Sequence, residues 1–142
     1  MLGKILVSSI ILSSLLFIAC EKKVVEVRYA PVLYELAAPD SIPKGSPSIY
    51  YLFISVFDPD GLDDIETVYF ISTRPDSTSS GSQYPLRDDG QFGDSTANDG
   101  RYTLGIQAPA DTAQSGDYVF TFYAKDRQGN NSNNPAAVVT AY

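Results

Sequence analysis

The chain contains no histidine and no tryptophan, and only one cysteine and one methionine. Without histidine there is no Ser-His-Asp triad, no Cys-His dyad and no imidazole-ligated metal. A single cysteine excludes an internal disulfide and a thiolate zinc cluster. Positive charge is also scarce: ten Lys and Arg stand against seventeen Asp and Glu, for a net charge of −7. That balance argues against nucleic acid and anionic membrane surfaces as partners. No Gly-x-x-x-x-Gly-Lys phosphate loop occurs. No internal repeat is visible. What is present is 142 residues, 44% of them hydrophobic, enough for one domain with a core.

The first residues read as an address. Lys4 is followed by an uncharged run over residues 5–19, rich in Leu and Ile. As a helix this run would reach only about 22 Å, short of a hydrocarbon core. A basic start, a short apolar run and a small residue at its end describe a secretory signal peptide. Phe17-Ile18-Ala19-Cys20 resembles the lipobox of bacterial lipoproteins, with Phe17 where Leu is usual. The resemblance implies that the Cys20 thiol takes a diacylglyceryl group and that cleavage makes Cys20 the mature N-terminus. It implies a membrane partner through the N-terminal lipid, with the protein exported and anchored in the bacterial cell envelope. The outer membrane, on its periplasmic or surface face, is one placement, and the sorting that Glu21-Lys22-Lys23 could influence stays open. Residues 1–19 are then the signal peptide, residues 20–29 the lipidated N-terminus and tether, and residues 30–142 the domain. Two or three acyl chains anchor firmly where one would not, at about 0.8 kcal/mol per buried methylene.

Beyond the signal segment no stretch has helical periodicity, and the chain reads as short strands separated by turn residues. Strands are expected over residues 31–37, 48–57, 66–73, 83–87, 101–107, 117–125 and 135–141. In the first, Val32, Tyr34 and Leu36 alternate. Pro39, Pro43 and Pro47 mark the next segment as a loop. Residues 48–57 are nearly all apolar, β-branched or aromatic, as in a central strand. Pro85 puts the fourth strand at an edge. Tyr102, Leu104 and Ile106 share one face of the fifth, and Tyr118, Phe120, Phe122 and Ala124 share one face of the sixth. Seven short strands in so few residues predict an all-β, seven-stranded immunoglobulin-like sandwich. It must hold together without a disulfide, so aromatics such as Tyr118 and Phe120 are expected to supply core bulk.

The acids are unevenly placed. Asp outnumbers Glu by 13 to 4, and ten of the seventeen acids lie between Asp58 and Asp99. Two loops hold most of them. One runs from Asp58 through Asp60, Gly61 and Asp63 to Asp64. The other runs from Asp88 and Asp89 through Gly90, Gly93 and Asp94 to Asp99 and Gly100. Two readings fit. Calcium takes six to eight oxygens, and short carboxylates on glycine turns can supply them. The candidate ligands are Asp58, Asp60, Asp63, Asp88, Asp89, Asp94, Asp99 and Asp126. Neither loop has EF-hand spacing. Alternatively, Asp and Gly simply make the turns, with each carboxylate bonded to nearby backbone N–H groups.

The order of these segments resembles bacterial extracellular modules of the Ig-like, cadherin-like and PKD-like kinds. The resemblance rests on Asp58-Pro59-Asp60-Gly61-Leu62-Asp63-Asp64-Ile65, on Asp88-Asp89-Gly90 with Gly93-Asp94 and Asn98-Asp99-Gly100-Arg101-Tyr102-Thr103, and on Tyr118-x-Phe120-x-Phe122-x-Ala124-x-Asp126. It implies an Ig-like sandwich serving as a spacer, an adhesion unit or a binding accessory, sometimes with calcium. Paired carboxylates such as Asp58 and Asp89 would suit a glycosidase, but sandwich loops of this length make a shallow end rather than a sugar-burying cleft. The expectation is therefore a non-catalytic, lipid-anchored envelope protein that acts in protein binding, adhesion or spacing. Its partner would be an envelope protein or a glycan. Ten Tyr and seven Phe keep a calcium-dependent carbohydrate-binding face in view, with Tyr50, Tyr51, Tyr69 and Tyr123 its candidate residues. The same aromatics at alternating strand positions also serve as core.

Overall fold

The computed structural model describes residues 27–142. The signal segment expected over residues 1–19, the lipidation site Cys20 and most of the tether lie outside the described residues. Among the described residues, eight strands build two sheets. They are β1 (Val32–Ala37), β2 (Ser41–Ile42), β3 (Tyr50–Phe57), β4 (Ile65–Thr73), β5 (Tyr84–Pro85), β6 (Arg101–Ile106), β7 (Gly116–Asp126) and β8 (Ala136–Ala141). One sheet has the order β1-β3-β6 and the other β2-β8-β7-β4-β5. All pairings are antiparallel except β2 with β8, which is parallel. Among the described residues no helix is long and apolar enough to cross a membrane.

The core follows from alternation. Phe120, Phe122 and Ala124 on β7 all turn inward, with Tyr118 half-buried on the same face. Val68 and Phe70 on β4 meet them, and Leu52, Ile54 and Val56 face them from the other sheet. Phe70 is the hub. Its ring centroid lies 4.7 Å from Phe120, 5.5 Å from Phe122 and 4.9 Å from Tyr84. This ring cluster supplies core bulk in a sandwich that has neither a disulfide nor a tryptophan among its described residues.

Three details depart from the strand expectations. First, β1 turns Leu33 inward and leaves Val32 and Tyr34 exposed, so the buried face is the opposite of the one its alternation suggests. The register with β3 shifts between Tyr34 and Ala37, and Glu35 takes a left-handed φ of 50°. A bulge of this kind inverts which face each residue occupies, bringing Leu36 back toward the core. Second, the proline-rich segment contains β2. Its ladder uses the Asp40 and Ile42 carbonyls and the Lys44 N–H, so Pro39 and Pro43 sit where no donor is required. This adds the eighth strand. Third, the strand expected over residues 83–87 divides between the sheets. Tyr84–Pro85 pairs with β4 at the edge of the larger sheet, and Arg87 bridges to Thr103 of β6 in the smaller one.

Candidate functional site

Both acidic loops lie at one end of the sandwich. The loop after β3 crosses to β4 through a short 3-10 turn, Leu62–Asp64. The loop between β5 and β6 returns beside it: the Gly100 carbonyl accepts from the Val56 N–H at 2.8 Å, and Gly100 packs against Leu62. The β7–β8 hairpin closes the same end. The Arg127 N–H donates to the Asp64 carbonyl at 2.8 Å, and Gln128 Nε2 donates to Asp64 Oδ2 at 2.9 Å.

Within this end the carboxylates form two groups, Asp58 with Asp60 and Asp64, and Asp88 with Asp94 and Asp99. In each group one oxygen per residue lies within 4.8 Å of the others. The second group is consumed by its own loop. Asp88 accepts the N–H groups of Asp99 at 3.2 Å and Gly100 at 2.8 Å, one on each oxygen. Asp94, buried, accepts Gly90 N–H at 2.6 Å and Thr96 N–H at 3.3 Å. Asp99 accepts the Arg101 N–H, and Asp89 accepts the Gln91 N–H. Asp89 stands outside the convergent group, 3.9 Å from the Arg87 guanidinium.

The first group is different. Asp58 is 5% exposed. Its Oδ1 accepts the Asp60 N–H at 2.8 Å, but its Oδ2 is buried with no hydrogen-bond partner. No other buried side-chain nitrogen or oxygen among the described residues lacks a partner. Burial pushes the Asp58 carboxyl above its ordinary range; the Asp60 N–H opposes this, and the charges of Asp60, Asp64 and Asp126 reinforce it. Asp63 faces solvent, because the 3-10 turn carries it outward and Asp64 inward. Asp64 was not among the ligands expected from sequence. Adjacent acids are equivalent on paper, and only the turn distinguishes them.

Asp126 is fully buried beside this group and acts as a hairpin clamp. Its Oδ1 accepts the N–H groups of Gln128 and Asn130, and its Oδ2 accepts the Asn130 amide at 2.7 Å. Burial alone would raise its pKa, but the Asn130 amide and the surrounding N–H groups outweigh it and hold the carboxyl below its ordinary range.

The aromatic candidates part company. Tyr50 packs against the core. Tyr69 and Tyr123 are register partners on the outer face of the larger sheet, stacked at 5.2 Å. Tyr51 lies on the outer face of the smaller sheet, 6.3 Å from Phe53, whose ring carries the Arg101 guanidinium at 4.5 Å. Beside Tyr51 runs a groove of about 480 Å³ lined by Ile49, Phe92, Arg87, Asp89 and Gln107 among others. Sequence reasoning missed Tyr34, Phe57 and Phe92, which are exposed; Phe92 is 69% so. The signal available was Phe92 itself, an apolar ring inside an otherwise polar glycine loop.

No protein-family model and no curated protein matches the chain. Solved structures do. A PKD domain of an M14-like peptidase from Thermoplasmatales archaeon SCGC AB-540-F20 aligns over 81% of this chain and 98% of its own, with 16% identity and a TM-score of 0.50. A Niemann-Pick type C2 protein from Japanese carpenter ant aligns over 82% and 96%, with 8% identity and a TM-score of 0.51. The endo-beta-1,4-mannanase from Thermotoga petrophila aligns over 82% of this chain but 21% of its own, with 11% identity and a TM-score of 0.51. At such identities the likeness is one of fold, and the fold is an Ig-type β-sandwich.

Proposed function

We propose that this is a non-catalytic, lipid-anchored protein of the bacterial cell envelope whose Ig-like domain serves in protein binding, adhesion or spacing. The observation that carries the binding role is the outer face of the β1-β3-β6 sheet. Val32 and Phe57 are register partners there, and both are exposed, with Tyr34 alongside. Tyr51 and Phe53 continue the same face along β3. An outer sheet face in water is ordinarily polar, and a patch of exposed Val32, Tyr34 and Phe57 extended by half-buried Tyr51 and Phe53 is the mark of a contact surface. The anchor is supported by the lipobox-like Phe17-Ile18-Ala19-Cys20. Labelling cells with a palmitate analogue tests it: the wild-type chain takes the label and Cys20→Ser does not, whereas a labelled Cys20→Ser protein defeats the anchor. For the surface, Phe57→Ser with Tyr34→Ser should abolish site-specific crosslinking to an envelope component while leaving the melting curve in place.

A second reading, a calcium-dependent carbohydrate-binding protein, draws on the groove beside Tyr51. There exposed Phe92 sits near Arg87, Asp89 and Gln107, an apolar platform with polar groups beside it. A glycan array with calcium and with chelator decides it, since a chain that binds no glycan in either condition removes this reading.

A further inference from the structure

The end of the sandwich where the chain enters holds a feature that the contact face does not use. Asp58, Asp60 and Asp64 converge there, and the buried Asp58 Oδ2 is left without a partner. A buried carboxylate with an unpartnered oxygen, grouped with two further carboxylates, is costly unless a cation meets it. We propose that these three residues hold one divalent cation, of the calcium class, and that the ion fastens the N-terminal segment to the domain.

Several observations converge on that ion. All three donors are hard carboxylate oxygens, with no sulfur or imidazole, as suits calcium rather than zinc. The three oxygens lie within 4.8 Å of one another, close enough for one ion to reach all of them at roughly 2.4 Å each. Asp60 and Asp64 also tie the loop to other parts of the chain, and each of the three bonds uses one oxygen of its carboxylate. Asp58 Oδ1 accepts the Asp60 N–H, Asp64 Oδ2 accepts Gln128 Nε2 from the β7–β8 hairpin, and Asp60 Oδ2 accepts the Tyr29 N–H at 3.0 Å. Peptide carbonyls and water complete the six to eight ligands that calcium takes. The Tyr29 contact gives the ion its further consequence. Tyr29 precedes β1, so a cation that orders Asp60 also orders the point at which the chain enters the fold. Together with the anchoring proposed above, on which this last step rests, bound calcium would set how the domain stands on its tether.

The test uses the full-length chain in detergent, in calcium chloride, in magnesium chloride and in EDTA. At calcium about 100-fold above its Kd the melting temperature should rise by roughly 10 °C over EDTA. Magnesium at the same concentration should raise it less. Asp58→Asn should lose the calcium response yet melt no lower than wild type in EDTA, because it removes an unpartnered charge and keeps the Oδ1 acceptor. Asp94→Asn should melt lower in EDTA and keep the calcium response. Hydrogen exchange at the Tyr29 amide should slow with calcium. An unchanged melting temperature overturns the site, as does a response that survives Asp58→Asn. A response without slower exchange at Tyr29 overturns the fastening. Palmitate labelling reads the anchor independently, so a failed anchor and a failed ion site give different results.

Discussion

The two acidic loops look alike in composition and differ in what their carboxylates do. In the loop from Asp88 to Gly100, Asp88, Asp94 and Asp99 each accept nearby backbone N–H groups. The acids there are the turn. In the loop from Asp58 to Asp64, the carboxylates also hold N–H groups, but one buried oxygen is left over. A satisfied carboxylate is a structural part, whereas an unsatisfied one is a request for a ligand. Counting acids cannot distinguish these cases; counting their hydrogen bonds does.

The comparison is open to breakage at several points. The largest effect should come from Asp88→Ala, which strands two N–H groups, one of them on the buried Gly100. It should cost about 2–3 kcal/mol by urea unfolding, equally in calcium and in EDTA. A loss that is clearly larger in calcium than in EDTA would move the ion to this loop. Next is a pair of glycines. Gly93 has φ 96°, and an added Cβ would lie 2.6 Å from the Tyr51 ring, while Gly61 has φ 107° and open space around it. Gly93→Ala should therefore cost about 2–3 kcal/mol and Gly61→Ala about 1 kcal/mol, the second reflecting backbone strain alone. Equal costs would mean that the second loop does not pack on the sheet as described.

Asp58→Asn is smaller still and of the opposite sign. In EDTA it should leave stability within about 1 kcal/mol of wild type, on the stabilising side. A clear destabilisation would show that the Asp58 charge has a partner inside the fold.

The smallest effect concerns Asp76, a carboxylate outside both acidic loops that behaves like those of the second. It accepts the Thr78 hydroxyl and N–H and the Gln114 amide, joining the segment after β4 to the one before β7. The Thr78 hydroxyl, followed by the Gln114 amide, lowers its pKa from 3.8 to about 2. Its contribution to stability is thus complete above pH 3.8 and lost as the pH falls through about 2. Carboxyl NMR should place its titration near that lower value, and Gln114→Ala should move it upward. A midpoint at the ordinary value would remove Asp76 from the group of carboxylates held by their own loops.

Much of this was legible in the residues. The alternation of Phe120, Phe122 and Ala124 on β7 specified a buried face, because a period of two admits no other partition along a regular strand. It failed on β1, where Glu35 adopts a left-handed conformation and the register slips. Nothing in Val32-Leu33-Tyr34-Glu35-Leu36 announces a bulge. The prolines misled for a related reason. They exclude a donor, and β2 runs on acceptors at those points. The crowding of acids into two loops was plain, but Asp63 and Asp64 could not be ranked, since one residue of rotation in a 3-10 turn decides which faces inward.

Composition and pattern by themselves determined that this chain is all-β, disulfide-free and without imidazole chemistry, and that its acids gather in two glycine-bearing loops. Those properties follow from residue types and local periodicity. Only the folded chain decided which loop spends its carboxylates on its own backbone and which keeps one in reserve. That distinction depends on burial and on partners distant in sequence: Gly100 for Asp88, Gln128 for Asp64, and Tyr29 for Asp60. A carboxylate's demand for a cation is set by the donors around it, and those donors are brought together by tertiary structure alone.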